Sequence, residues 1–302
     1  MATLSPCVGL CQIESTSGLC SGCARSGEEI ASWKDAPEAV LNRIWAELPG
    51  RREKLGIGLH RLGWSPEVIL SFVQGTLRAG QGSWVVGAFG AVAKFSIGRD
   101  DVCEVERDGS RITARTGRGA VRFEITERVR VLSTRVNVGG TSEEIIILAV
   151  PRSRTRPRPN AGLTALGVDR DAIRPADRGD RLYDLGLDSE AAAFCVRTRA
   201  LDLVEELDRG TGRKWADLPP EEGDWIIYNS PSRVALNDLA RIEVFAPIPP
   251  PDGQALVGPH AHFPPTLLAF GQETPPRWDV PESFVPCAIF YPIDLGSRGE
   301  YV

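Results

Sequence analysis

The sequence predicts an α+β protein: a small metal-bound loop with a helical hairpin at the N-terminus, followed by a mainly antiparallel-sheet body with a few helices. Three observations support this prediction. Four of the seven cysteines fall within residues 7–23. Two segments with helical periodicity follow them directly. From residue 84 onward, short strand-like runs dominate, and they do not alternate regularly with helices as a parallel sheet would require.

The composition is that of an ordinary globular protein. Of the 302 residues, 42% are apolar and 25% are charged, which is typical of a chain that folds around its own core. The net charge of -5 argues against a general nucleic-acid binder, which needs a basic surface. No apolar run reaches the length of about 18 residues that a membrane span needs, and no secretion signal is recognisable. We therefore expect a cytoplasmic protein whose partner is an unidentified protein or small molecule.

The four clustered cysteines, Cys7, Cys11, Cys20 and Cys23, are the strongest functional signal. Their spacing, Cys-x3-Cys and then Cys-x2-Cys after a short loop, allows four thiolates to converge on one centre. In a reducing cytosol such a cluster is more typical of metal ligands than of two disulfides or free thiols. A Zn²⁺ ion and an iron–sulfur cluster both accept four thiolates, and the spacing favours neither.

The residues around the cysteines indicate how this site is framed. Gly9, Gly18 and Gly22 allow the positive φ angles and close backbone approach that sulfur-bound metals require. Ser26 and Glu29 form a Ser-x-x-Glu pattern, which predicts the start of a first short helix just after the last cysteine.

A second helix is predicted from the Asp35-x-x-Glu38 pattern onward. Its apolar residues recur at helical spacing and can close over the metal loop together with Trp33; they are Val40, Leu41, Ile44, Trp45 and Leu48. The predicted end lies near Pro49-Gly50. Residues 1–50 are therefore predicted to form a four-cysteine metal-binding module, and residues 51–302 an α+β body.

The segments SPCVGLCQ, LCSGC and EEIASW and the helix ending in ELP resemble a family of short bacterial proteins, the domain of unknown function 1289. That family is described as predicted iron–sulfur proteins. All four of its cysteines have counterparts here, and its tryptophan corresponds to Trp33. The resemblance covers residues 4–50 and implies a cysteine-bound metal, but it carries no established reaction. GPHAHFPPTLLAF and VPCAIFYP resemble a companion proteobacterial domain, also of unknown function.

The body is predicted to begin with a helix. Ser65-Pro66 is a helix-start pattern and Gly80 a stop. Between them the apolar residues at helical spacing are Val68, Ile69, Phe72, Val73 and Leu77. Strands are then predicted for WVVGAFGAVAKF, VCEVER, SRITART, AVRFEIT, RVRVLSTRV and EEIIILAV. The Asp108-Gly109 dipeptide predicts a hairpin between two of them.

Residues 151–160, PRSRTRPRPN, are rich in proline and arginine and indicate a linker or exposed loop, at which the body could divide into two subdomains. Beyond it, strands are predicted for AFCVRT, DWIIYN, RIEVFAPI and FVPCAIFYP, and a helix for ALDLVEELDRG. Three cysteines outside the cluster are expected to be buried small apolar residues; they are Cys103, Cys195 and Cys287.

His260 and His262, in GPHAHFPP, are the second candidate site. Residues two apart in an extended segment share a face, so both imidazoles can reach one metal or one anion. No glutamate follows at the spacing of a cupin-like site, where the chain has Thr266 and Leu267. A structural or exposed pair is the competing interpretation. His60 stands alone and is expected to be structural.

The leading hypothesis is a cytoplasmic metal-binding protein: the four-cysteine module joined to a body that binds a ligand or partner. The alternative is an enzyme with a metal-assisted or acid/base site around His260 and His262. The sequence contains no Walker loop and no Gly-x-Ser-x-Gly nucleophile elbow. It therefore leaves open whether the protein is an enzyme.

Overall fold

The computed structural model describes residues 4–88, 91–98, 100–138, 141–154, 162–187, 192–245, 258–262 and 280–292. The α-helices in these ranges are α1 Gly27–Ser32, α2 Glu38–Leu55, α3 Pro66–Ala79, α4 Leu201–Gly210 and α5 Pro220–Tyr228. Within these ranges, no helix combines the length and apolarity needed to cross a bilayer.

Fifteen strands accompany these helices in the described ranges. The first eight are β1 His60–Leu62, β2 Ser83–Ala88, β3 Ala91–Ser96, β4 Glu104–Asp108, β5 Arg111–Arg115, β6 Gly119–Glu124, β7 Arg130–Val138 and β8 Thr141–Pro151. The others are β9 Thr164–Val168, β10 Arg181–Asp184, β11 Ala193–Thr198, β12 Ser232–Leu236, β13 Ala240–Val244, β14 His260–His262 and β15 Phe284–Tyr291.

The strands form two antiparallel sheets. The first has the order β1-β7-β8-β15-β2-β3-β14 and the second the order β4-β5-β6-β13-β12-β11-β10-β9. Together with the few helices, this arrangement confirms the predicted α+β class and the mainly antiparallel body. The chain enters each sheet several times, so neighbouring strands are often distant in sequence, as in the pairing of β6 with β13.

The main core lies between the two sheets. Side chains of β2 and β3 pack against those of β6, β12 and β13, and α3 closes one side. The centre is aromatic: the rings of Trp84 and Phe123 meet edge to face with centroids 4.8 Å apart. A second apolar cluster on the outer face of the first sheet includes Leu132 and Ile147. That outer face is where the N-terminal segment docks.

Helix α3 matches its sequence signals. The Ser65 hydroxyl accepts a hydrogen bond from the Val68 backbone N–H, Pro66 occupies the first turn, and Gly80 ends the helix with φ +62°. The apolar stripe is correct except at Val68, which is 46% exposed. The hairpin at Asp108-Gly109 is also confirmed, since it joins β4 to β5.

The predicted division of the body near residues 151–160 is not found. Strand β13 pairs with β6, and β15 pairs with β8, so strands from both sides of this segment share both sheets. Residues 152–154 form a turn of 3₁₀ helix, and residues 155–160 lie outside the described residues.

The strand predicted for DWIIYN is wrong, because these residues lie in α5. Pro220 at the first helical position and Glu221 and Glu222 in the first turn favour a helix start. Ile226 and Ile227 are buried on the core side. A short apolar run fits a strand and a buried helix equally well, and here the flanking residues decide.

Helix α2 also differs from its prediction at both ends. Its N-cap is Pro37 without a side-chain cap, so the Asp35-x-x-Glu38 pattern is not used. The helix continues through exposed Pro49 and ends at Gly56, whose φ of +65° terminates it. The predicted module boundary at residue 50 therefore falls inside a continuous helix.

Candidate metal centre

The two cysteine pairs are held side by side by backbone pairing. Ile13 and Cys20 form an antiparallel bridge, as do Leu19 and Ser26. The Ser21 N–H donates to the Gln12 carbonyl at 2.9 Å. This pairing joins the Cys20–Cys23 turn to the segment that carries Cys7 and Cys11. It thus brings into one loop four cysteines of which the first and last lie sixteen positions apart.

Two glycines allow this close packing. A Cβ on Gly22 would lie 2.4 Å from the Leu10 carbonyl oxygen, so the turn between Cys20 and Cys23 requires glycine there. Gly9 has φ +86°, and a Cβ on it would lie 2.3 Å from Ser283 Oγ of the body. The sequence-based expectation that glycines permit close backbone approach around the cysteines is confirmed at both positions.

Two of the four sulfur atoms are in direct contact, and the others are hydrogen-bonded to neighbouring groups. Cys7 Sγ lies 4.0 Å from Cys11 Sγ and accepts a hydrogen bond from the Gly9 N–H at 3.3 Å. Cys20 Sγ lies 3.2 Å from the Leu10 carbonyl oxygen, to which its thiol donates. Cys20 and Cys23 are buried, whereas Cys11 is exposed. One edge of the cluster is therefore open to solvent and the other lies in the interior.

The four thiols influence one another electrostatically. Cys7 raises the pKa of Cys11 by charge repulsion and a hydrogen bond, and Cys20 and Cys23 raise it further. Burial raises the pKa of Cys23, only partly offset by Arg25. Burial also acts on Cys20, but hydrogen bonds from the backbone of Gly22, Cys23 and Gln12 outweigh it and lower the pKa of Cys20. Without a cation, the negative charge of neighbouring cysteines thus opposes ionisation of Cys11 and Cys23.

The four cysteines are chemically suited to bind a metal as thiolates, but their sulfur atoms are not yet arranged as in a formed site. In the part of the chain that the structure describes, no group of three or more His, Cys, Asp or Glu side chains is already placed to coordinate a metal ion. The Cys7–Cys11 separation of 4.0 Å is nevertheless near the edge of about 3.8 Å in a tetrahedron with Zn–S bonds of about 2.3 Å. Closing the site requires the Cys7–Cys11 pair to come together with the buried sulfurs of Cys20 and Cys23, and the exposed side of Cys11 leaves that pair room to move.

The helical hairpin covers the buried side of the cluster. Ala24, which follows the last cysteine, packs with Ile44 and Leu48 of α2, and Trp33 packs against the same group. Helix α1 begins at Ser26 with the predicted capping box, since Ser26 and Glu29 exchange hydrogen bonds. The predicted cover over the cysteine loop is thus present.

Three buried arginines surround the cluster. Arg25 Nε donates to Cys23 Sγ at 3.4 Å, Arg61 Nη1 donates to the Cys7 carbonyl at 3.4 Å, and Arg52 Nη2 donates to the Arg61 carbonyl at 3.5 Å. Sequence reasoning missed them. Only Arg52 left a signal, because it continues the Ile44–Leu48 row of α2 by one further turn.

The N-terminal segment rests on the body. Val8 packs with Leu132 and Ile147 on the outer face of the first sheet. The Ser283 hydroxyl donates to the Val8 carbonyl at 2.7 Å. Arg61, which reaches Cys7, belongs to β1 at the edge of the same sheet. The candidate centre is therefore seated against the body by apolar contact and by hydrogen bonds.

The two histidines of the second candidate site lie on one short strand. Strand β14 pairs with β3, placing His260 opposite Lys94 and His262 opposite Val92. His260 is 4% exposed, and its Nδ1 lies 2.8 Å from the Gly258 carbonyl oxygen. Residues 263–279, which follow His262, lie outside the described residues. The two histidines lie two residues apart on this strand, and the His262 side chain is outside the described part of the structure. That both imidazoles share one face stays a prediction.

The remaining predicted residues have structural surroundings. His60 lies in β1, where burial and then the positive charge of Arg52 lower its pKa. Cys195 and Cys287 are buried as expected, while Cys103 is only half-buried.

A second buried polar cluster, on the outer face of the second sheet, was not predicted. Arg197 is fully buried and pairs with Asp177 at 2.8 Å, Glu243 at 2.8 Å and Asp169 at 3.2 Å. Arg241 pairs with Glu243 at 2.6 Å and also with Asp169. Arg174 also pairs with Asp177, at 2.8 Å, so three cations balance three carboxylates, which is typical of a structural network.

Comparison with protein families identifies both parts of the chain without assigning an activity. A profile described as Family of unknown function (DUF6925) matches residues 69–299. A profile described as Protein of unknown function (DUF1289) matches residues 5–52, which confirms the resemblance of the cysteine segment. No curated protein and no solved structure shows a significant match.

Proposed function

We propose that Cys7, Cys11, Cys20 and Cys23 bind one metal centre. The chain itself belongs to the family of unknown function DUF6925. The observation that carries the proposal is the clustering of the two cysteine pairs: Cys7 Sγ and Cys11 Sγ lie 4.0 Å apart, and backbone pairing joins the Cys20–Cys23 turn to the segment that carries them. A bound cation stabilises such a cluster, because it replaces the four thiol protons and offsets the repulsion among the thiolates.

Two metal centres fit the short distance between Cys7 and Cys11. A Zn²⁺ ion holds all four thiolates on one atom, and a [2Fe–2S] cluster holds two cysteines on each iron. Either places a pair of sulfurs at the separation that Cys7 and Cys11 already have. A [4Fe–4S] cluster bonds each cysteine to a different iron and would separate this pair. Zn²⁺ and the [2Fe–2S] cluster therefore require the least movement of the Cys7–Cys11 pair, and they are the two centres we favour.

In this proposal the metal also fixes the N-terminal segment on the body. The backbone around Cys7 already contacts Arg61 and Ser283, so drawing the sulfurs together stiffens a surface that both regions share. Ligand binding and folding of the segment are then one process. We also propose that the body binds a partner or ligand and that the protein is cytoplasmic. This proposal includes no catalysed reaction.

The test is to purify the full chain without oxygen and to measure its absorption spectrum, iron, zinc and acid-labile sulfide. Visible absorption with two irons and two sulfides per chain would identify the cluster. A colourless protein with one zinc per chain would identify the structural ion. Protein that contains neither metal, with four freely titratable thiols in residues 7–23, would refute the proposal.

The alternative function, an enzyme site around His260 and His262, is favoured by one observation. Buried His260 lies opposite buried Lys94 in register, and two such groups facing away from the main core suit an anionic or metal-bound ligand. Metal analysis separates the two functions. Metal that remains after Cys20→Ser and is lost on His260→Asn would assign a second centre to the histidines.

A further inference from the structure

The three buried arginines around the cysteines have a role that rests on the proposed metal centre. We infer that Arg25, Arg52 and Arg61, here called the arginine shell, balance the negative charge of the metal–thiolate centre and thereby set how tightly it binds its metal. In this role they are positioning and charge-balancing residues, and none of them is a metal ligand.

The arginine shell follows the cluster closely. Arg25 donates directly to a cysteine sulfur, at 3.4 Å from Cys23 Sγ. Arg61 donates to the backbone of Cys7, and Arg52 donates to the backbone of Arg61. Two of the guanidinium groups also lie over indole rings, Arg25 over Trp33 and Arg52 over Trp45. These contacts hold the three cations in place through a thiol sulfur, backbone carbonyls and aromatic rings. The charge of Glu29 also acts on Arg25, but that carboxylate is paired with Arg51 at 2.7 Å.

A buried arginine is usually paired with a carboxylate, and in the described part of the chain none of the three arginines has such a pair. Each arginine of the shell is at most 7% exposed. Within the described ranges, none of the ion pairs involves Arg25, Arg52 or Arg61. The Nε atoms of Arg52 and Arg61 are buried without a hydrogen-bond partner among the described atoms. A buried guanidinium without a counter-charge is strongly unfavourable, so this arrangement requires an anion nearby.

The metal–thiolate centre supplies that anion. Four neutral thiols offer no negative charge, whereas four thiolates around one divalent ion carry a net charge of about -2. A [2Fe–2S] cluster with four thiolates carries the same charge before reduction. Positive charge held near the sulfurs stabilises the net negative charge of the bound centre. The positive charge of the arginine shell therefore favours metal uptake. In return, the negative charge of the bound centre neutralises the buried arginines.

Arg61 extends the site into the body. It lies in β1, outside the residues 5–52 that match the smaller family profile. The body thus contributes a charge to a centre whose ligands all belong to the N-terminal segment. Metal affinity measured in the full chain should therefore depend on a residue of the body.

The experiment compares four full-length proteins: wild type, Arg61→Met, Arg61→Lys and Arg43→Met. Methionine removes the charge and keeps much of the length, and lysine keeps the charge. Arg43 lies exposed on α2 and serves as the matched control. The readout is competition for metal with a coloured chelator. We expect Arg61→Met to bind about 10- to 100-fold more weakly, as changes in the surroundings of metal ligands do. Arg61→Lys should retain most of the affinity, and Arg43→Met all of it.

The outcomes separate this inference from the proposed function. Wild-type protein without metal refutes the metal centre itself. Wild-type protein with metal, together with an Arg61→Met protein that binds as tightly as Arg43→Met, refutes the arginine shell alone. Equal losses in Arg61→Met and Arg61→Lys would also refute it, because they would show that shape rather than charge matters. Far-UV circular dichroism confirms that each variant is folded, and Arg52→Met replaces Arg61→Met if the latter is not.

Discussion

The molecule buries arginines in two regions and balances their charge differently. In the body, Arg197 meets three carboxylates between 2.8 and 3.2 Å away. Around the cysteines, Arg25, Arg52 and Arg61 are equally buried, yet none of them forms an ion pair with a described carboxylate. The outer face of the second sheet is electrostatically complete within the chain. In the proposed function, the N-terminal region obtains its counter-charge when its thiols are ionised.

This difference indicates which region depends on something outside the chain. A network such as that of Arg197 has its counter-charges in place as soon as the sheet forms. In the proposed function, the cysteine region gains its counter-charges when a metal binds and replaces the thiol protons. We therefore expect the body to fold independently of metal and the N-terminal region to depend on it.

The largest expected effect comes from Cys20→Ser. It removes one of four ligands, and the apparent binding free energy of a structural thiolate site is about 10 kcal/mol or more. We expect the variant to lose most of its metal and the region of α1 and α2 to lose order, while the two sheets remain folded. Metal analysis and amide hydrogen exchange measure both effects in one preparation.

Cys103→Ser is the matched control for that experiment. Cys103 lies in the body and is half-buried, so its replacement should leave metal content and exchange in residues 5–55 unchanged. If Cys20→Ser keeps a full complement of metal, the comparison between the two regions loses its basis.

The next largest effect is expected in the body, from Arg197→Met. The change leaves Asp169, Asp177 and Glu243 buried with less positive charge, and breaking a buried ion pair in this way costs about 3–5 kcal/mol. The free energy of unfolding, measured with denaturant, should fall by that amount while metal content stays the same. Arg199→Met is the control, because Arg199 is 68% exposed and an exposed pair contributes about 0–1 kcal/mol.

Local signals in the sequence predicted much of the fold. Ser65-Pro66 and Gly80 bound α3, and Asp108-Gly109 forms its hairpin, because these residues act on the backbone next to them. DWIIYN was wrong because its apolar run has no helical or strand periodicity over six residues. The end of α2 was missed because an exposed proline is tolerated in a helix that packs well elsewhere.

The candidate site was predictable in part for the same reason. The cysteines were evident, since all four candidate ligands lie within residues 7–23. The arginine shell was not, because Arg61 meets Cys7 across 54 positions of the chain. The network of Arg197 was equally hidden, since its partner Glu243 lies 46 positions away. Charges that are paired by the tertiary fold leave no pattern in sequence that a single chain reveals.

The smallest expected effects come from a matched pair of helix caps. Ser26 caps α1 beside the cysteines, and Ser65 caps α3 in the body. Replacing an N-cap serine by alanine costs about 1 kcal/mol, or about fivefold in an equilibrium constant. If the two regions respond to metal as proposed, the cost appears in different measurements. Ser26→Ala should weaken metal binding about fivefold and leave the denaturant unfolding of the body unchanged, because folding of α1 is coupled to metal uptake. Ser65→Ala should lower the free energy of unfolding and leave metal affinity unchanged. A shift of the same unfolding transition by both variants would show that the molecule is one cooperative unit.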